Sequence, residues 1–116
     1  CRPCLHLQCH GDLITVAVRG DYGKPRPAVV LQSDRFEDIG SVTVALLTGS
    51  LLQDVPLLRV RVEPTETNGR KKPSHVMIDR ITTLPQEQAG AVFGRLESET
   101  LTTVSRNITV FLGLDS

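Results

Sequence analysis

Apolar and polar positions alternate with a period of two through a series of short segments of this chain, and only near the C-terminus does the spacing lengthen to that of a helix. Residues 12–19 set Leu13, Thr15, Ala17 and Arg19 on one side and Ile14, Val16 and Val18 on the other, which predicts a strand. Residues 26–32 are apolar almost throughout and read as a central strand buried on both faces. A short helical turn is expected over residues 33–38, with Phe36 tucked inward, followed by a strand rich in β-branched residues from Ser41 to Thr48 that Gly49-Ser50 ends. Residues 51–56 read as a mobile connection. From Leu57 to Val62 the alternation is clean: Leu58, Val60 and Val62 are expected inside, and Leu57, Arg59 and Arg61 outside. Asn68-Gly69 marks a reversal, residues 75–83 return as a strand pair broken near Asp79, residues 85–87 turn, and residues 90–96 form a last strand. Leu101, Val104, Ile108, Phe111 and Leu112 recur at helical spacing, and Ser98 is placed to cap that helix.

Short consecutive strands with turn signals between them, closed by one helix, imply a mainly β (α+β) fold: a small, strongly bent antiparallel barrel with the helix packed on it. A chain of 116 residues supports a single domain with its own core, here residues 11–116. The regular pattern begins at Gly11, so residues 1–10 are expected to be a disordered or non-native leader. Cys1, Cys4 and Cys9 all fall in that stretch, and an odd count confined to one end does not describe a disulfide framework. With His6 and His10 they could make a zinc ligand set, but the spacing matches no standard pattern. No apolar segment has the length of a membrane span, which places the protein in the cytoplasm as an expectation.

Charge narrows the partners. Thirteen basic and thirteen acidic side chains cancel, so no global field draws the protein onto nucleic acid or membrane, and any such binding must come from local patches. Three stand out: Arg19, Lys24 and Arg26; Arg59 and Arg61; and the run Arg70-Lys71-Lys72. With no Trp, one Tyr and three Phe there is little with which to stack bases, which disfavours binders built on aromatic platforms. The first patch is the most informative. In Gly20-Asp21-Tyr22-Gly23-Lys24-Pro25-Arg26-Pro27 the glycines allow tight turns and the prolines restrict the backbone on either side of Arg26, so a permanently charged, forked donor is presented at the mouth of the strand Ala28-Val29-Val30-Leu31. That is a candidate phosphate site.

The order of these features resembles the MazF/PemK family of toxin endoribonucleases. The resemblance runs from Gly11-Asp12 through the Gly-Lys-Pro-Arg-Pro loop, Leu46-Leu47-Thr48-Gly49-Ser50, Val76-Met77-Ile78-Asp79 and Gly94-Arg95-Leu96 to the closing helix. It implies an SH3-like barrel of the MazF/PemK/CcdB kind that dimerises, cuts single-stranded RNA at short sequences without metal or other cofactor, and is neutralised by a cognate, MazE-like antitoxin, through which operator DNA could also be bound. By position it puts the catalytic arginine at Arg26 and the catalytic threonine at Thr48, with Asp79 as a third catalytic residue; a PemK-type arginine two residues before that aspartate is replaced by Met77. Metal-free cleavage uses the RNA's own 2′-hydroxyl as nucleophile, so the protein must accept a proton and stabilise the phosphorane. Arg26 and Thr48 suit the second task, and Asp21, Asp79 and His75 are candidates for the first. Asp21, Lys24, Ser50, Arg59, Arg61, Arg70, Lys71 and His75 are expected to contact the substrate. Two other readings share the fold: a CcdB-like gyrase-inhibiting toxin, which the absence of Trp weakens, and a non-catalytic SH3-like binding module, for which a single Tyr cannot furnish an aromatic groove.

Overall fold

The computed structural model describes residues 8–17, 24–36, 39–51 and 55–115. Six strands, β1 (Asp12–Ala17), β2 (Pro25–Val30), β3 (Ser41–Thr48), β4 (Arg59–Val62), β5 (Ser74–Pro85) and β6 (Ala89–Arg95), precede a helix α1 (Ser98–Phe111), with short 3-10 turns at Asp34–Phe36 and Gln86–Gln88. They form one sheet in the order β4-β5-β3-β2-β1-β6, with every neighbouring pair antiparallel.

The alternation in the sequence becomes two buried surfaces, one on each side of this sheet. Directly opposed residues share a face, so the recorded row Leu13, Val29, Ala45 and Ile81 lies on one side and the row Ile14, Ala28 and Leu46 on the other. The first face joins Leu47, Val60, Val62, Val76 and Ile78 to Val104 of α1 in the main core; the second gathers Val16, Val30, Val42, Val44 and Leu84. Ala28, Val29 and Val30 are buried on both sides of β2, as an unbroken apolar run requires.

What bends the sheet is a change of register. Between the pairs Ala45 with Ile81 and Leu47 with Val76, β3 advances two residues and β5 advances five. Residues 77–80 therefore leave β3, and Met77 pairs with Arg59 of β4 instead. Extra residues on one strand sharpen its bend and twist, so the predicted break near Asp79 is a bend within one continuous strand. The two ends of the sheet are drawn toward each other without completing a closed ladder: the Arg95 N–H donates to the Thr67 carbonyl at 2.9 Å across the β4–β5 connection.

That connection is built around Asn68, which is fully buried. Its Oδ1 accepts from the backbone N–H of Thr65 and Arg70 at 3.0 and 2.9 Å, and its Nδ2 donates to the Glu63 carbonyl and to Glu97 Oε1 at 2.8 and 3.2 Å. Gly69 follows at φ +65, where a Cβ would lie 2.6 Å from the Phe93 carbonyl oxygen, so the predicted Asn-Gly reversal is imposed by close packing as well as by turn geometry.

Several local expectations change. Phe36 is 55% exposed, because the 3-10 turn that carries it has no core side to face. Ser98 does not cap α1; Glu97 holds the cap position without a side-chain cap bond, its carboxylate being turned instead to Thr65 and Asn68. The threonines of α1 fit the helix because Thr102, Thr103 and Thr109 each donate the hydroxyl to the carbonyl four residues back. Residues 8–10 are packed: the Cys9 N–H donates to Asp12 Oδ2 at 2.7 Å and the His10 N–H to Asp34 Oδ1 at 2.8 Å. Cys9 itself is buried and disulfide-bonded. Among the described residues no helix is long and apolar enough to cross a membrane.

Candidate functional site

The residues singled out for chemistry sort into two groups by the face and end of the sheet on which they stand. The first is a polar row across four strands. Thr48, at the end of β3, is directly opposite His75 of β5, and His75 is directly opposite Arg61 of β4. On the other side of β3, Ala28 is opposite Leu46, and two residues further along each strand stand Arg26 and Thr48. Strand periodicity thus lines up Arg26, Thr48, His75 and Arg61 on the face opposite α1. The row is polar where its continuation, Ala28 and Leu46, packs into the second core, because β2 and β3 reach their ends here.

Within the row each side chain is held differently. Thr48 is half-buried, and its Oγ1 accepts the Ser50 N–H at 3.1 Å. This fixes the hydroxyl and leaves its hydrogen to be donated. Ser50 is exposed and takes part through its backbone. Arg26 is half-buried at the start of β2, opposite Val16 of β1. His75 is 8% exposed. Arg61 is exposed and paired through Nε with Glu63.

Arg59 and Asp79 stand beside the row. Arg59 was expected to be a cation facing solvent. Instead its side chain is 11% exposed, with Nη1 donating to Asp79 Oδ1 at 2.5 Å and to the Leu58 carbonyl at 2.9 Å. The reason is the bend in β5, which brings Asp79 diagonally across from Arg59, one alternation beyond the Met77–Arg59 pair. Asp79 is a partly exposed partner of Arg59.

The second group surrounds an open groove of about 520 Å³ lined by Thr15, Pro25, Pro27, Phe93 and the run Gly69, Arg70, Lys71 and Lys72. Thr15 is opposite Pro27. The prolines flanking Arg26 therefore face this groove while Arg26 faces the row. Lys24 is exposed immediately before Pro25. Arg70 donates through Nε and Nη2 to Ser74 Oγ at 3.0 and 2.7 Å, which leaves Lys71 and Lys72 as the more extended cations of the hairpin tip. The structure thus brings the hairpin cations together with the loop prolines Pro25 and Pro27, on a different face from Arg26, Thr48 and His75. Asp21 lies outside the described residues. Phe93 and Asn68 had gone unnoticed as site-shaping residues; Asn68 was visible only as half of an Asn-Gly turn, and nothing in the local sequence distinguishes Phe93 from a core residue.

Comparison with known proteins defines the class. The fold matches an endoribonuclease in complex with its cognate antitoxin from mycobacterial species (TM-score 0.76, 19% identity, 92% of this chain and 96% of that one) and the Mycobacterium tuberculosis toxin MazF-mt6 (TM-score 0.74, 22% identity, 88% and 96%). It also matches a MazE-MazF structure from Deinococcus radiodurans (TM-score 0.74, 21% identity, 93% and 97%). In sequence, the chain is 45% identical over 105 residues to a probable endoribonuclease MazF of Mycolicibacterium smegmatis, covering 90% of this chain and 95% of that protein. Residues 10–112 match the model of the PemK-like, MazF-like toxins of type II toxin-antitoxin systems, and the chain belongs to that family.

Proposed function

We propose that this toxin cleaves single-stranded RNA at short sequences, using the substrate's 2′-hydroxyl as nucleophile and no metal or other cofactor. That the chain is a MazF-like toxin endoribonuclease follows from its family and from its 45% identity to a probable endoribonuclease MazF over most of both chains. The observation that carries the mechanistic reading is the alignment of Arg26 with Thr48 across β2 and β3 at the open end of the sheet. A phosphodiester laid along this row meets a guanidinium and a hydroxyl side by side. Arg26 neutralises charge on the phosphorane and hydrogen-bonds the departing 5′-oxygen, and Thr48, its lone pair engaged by Ser50, donates to a phosphate oxygen. No protein nucleophile is needed, since the 2′-hydroxyl attacks and leaves a 2′,3′-cyclic phosphate and a free 5′-hydroxyl. Asp79 holds Arg59 against the bend of β5, and Arg61 stands ready for an adjoining phosphate. Lys24, Arg70 and Lys71 add salt-dependent backbone attraction that carries no sequence information.

The partners follow from the same reading. A MazE-like antitoxin with an apolar and acidic tail fits a surface of cations and exposed apolar residues, and any operator contact would come through it. Exposed Val55 and Leu57 lie near the exposed Val110, Phe111 and Leu112 at the end of α1, because Asn107 of the helix donates to the Pro56 carbonyl at 3.3 Å. This apolar surface supports a symmetric homodimer, and the cytoplasm, where RNA is available, is the expected compartment. Incubating the protein with a long unstructured RNA in EDTA and mapping the fragment ends tests the reading. Cyclic phosphate and 5′-hydroxyl termini are expected, with no cleavage where the nucleotide at the cut is 2′-deoxy; efficient cutting of the deoxy substrate would refute it.

A further inference from the structure

We propose that His75 is the proton acceptor for the attacking 2′-hydroxyl, an inference that rests on the RNA-cleavage reading above and completes it. The chemistry leaves one role unfilled. Arg26 cannot accept a proton at working pH, and a threonine hydroxyl is far too weak a base to hold one. His75 is opposite Thr48 on one side and Arg61 on the other, so its imidazole stands in the same row as the groups that hold the phosphate. Opposed side chains on antiparallel strands have their Cβ atoms about 5 Å apart, which puts the ring within reach of whatever Thr48 touches.

His75 is 8% exposed, so most of the residue is out of water. The charged groups that face it among the described residues are predominantly cationic: Arg61 directly opposite and Arg59 diagonally from β4, and Arg26 from β2 beyond Thr48. The two carboxylates on this side, Asp79 of its own strand and Glu63 after β4, are already paired with Arg59 and Arg61. In the connection before β5, Arg70 is turned to Ser74. An imidazole is the one side chain whose ordinary proton affinity lies near neutral pH. A bound phosphate favours imidazolium just when a proton has to be taken.

In the step itself the 2′-O–H bond breaks and its proton passes to the imidazole nitrogen as the 2′-O–P bond forms. The P–O5′ bond then breaks with its electron pair going to O5′, which takes a proton from water, while the imidazolium returns one to solvent. The number of protons is unchanged over the cycle.

The test is the pH dependence of kcat and KM for His75→Gln and His75→Asn on an oligonucleotide with a single ribonucleotide at the cut. In the wild type kcat should rise through the imidazole range, about pH 6 to 7. In both variants that acidic limb should vanish and kcat should fall by about 10²- to 10⁴-fold, with KM changed less than about threefold, the uniform-binding part being kept. Thr48→Ala should lose rate but keep the limb. A variant with the wild-type limb overturns the proposal, whether its rate is normal or reduced; a reduced rate with the limb intact would make His75 a positioning residue for Thr48. Should the variants fail to fold, an NMR titration of the wild-type ring decides. Its protonation midpoint must rise when the all-2′-deoxy oligonucleotide binds, and an unmoved midpoint overturns the assignment. Failure of the wild type to cut any RNA would instead sink the underlying reading, which separates the two.

Discussion

Removing the Asn68 side chain should destabilise the fold more than any other single polar truncation among the described residues. Asn68→Ala deletes two acceptor and two donor contacts, to Thr65 N, Arg70 N, the Glu63 carbonyl and Glu97 Oε1, at a position with no solvent exposure. Each net hydrogen bond contributes about 1 kcal/mol, and a buried partner left unsatisfied costs more. Water can reach the exposed Glu63 and Thr65 and the half-buried Glu97, which tempers the sum. We expect a loss of about 3 kcal/mol, which at roughly 4 °C per kcal/mol for a domain of this size lowers Tm by about 12 °C. Urea unfolding at pH 7 followed by circular dichroism measures it, with an unchanged m-value showing that only stability moved. Asn68→Asp should be at least as damaging at pH 7, because it turns the donor toward Glu97 into a second carboxylate oxygen. A loss below about 1 kcal/mol for Asn68→Ala would refute the view that this residue ties the β4–β5 connection to the start of α1.

Arg26→Ala and Thr48→Ala should each lower the cleavage rate by about a hundredfold or more while shifting Tm by only a degree or two, since both side chains lie at the open end of the sheet; wild-type cleavage by Arg26→Ala in EDTA would unseat the assignment. Gly94→Ala should cost about 2 kcal/mol in the same urea assay, because its Cβ would stand 2.4 Å from the Asn68 carbonyl oxygen. The Glu97 carboxyl is held below its ordinary 4.5, chiefly by the hydrogen bond from the Thr65 hydroxyl and against the opposing effect of burial. Its contribution is therefore fully present above pH 4.5 and lost as pH falls through the folded-state value; solvent screening keeps it to about 1 kcal/mol or less, and Glu97→Gln should flatten the fall in stability below pH 5 by that amount. Sedimentation at micromolar concentration should show a dimer that Phe111→Glu dissociates, and a fully active wild-type monomer would contradict the homodimer.

The strands and helix were legible in the chain because period-two and period-3.6 burial are one-dimensional facts: Val60 and Val62, Ala28 to Val30 and Val104 sit where their spacing puts them. Arg26 stood out in the sequence through the glycines and prolines that present it, whereas Thr48 was named only by position through the family resemblance. What the sequence could not hold is register. That His75 faces Thr48, that Arg59 is tied to Asp79, and that Pro25 and Pro27 join Lys71 at a groove on another face all depend on which residues of distant strands oppose each other. Alternation tells which face a side chain takes along its own strand, whereas the bend of β5 at residues 77–80, set by packing of the whole sheet, decides what it meets there.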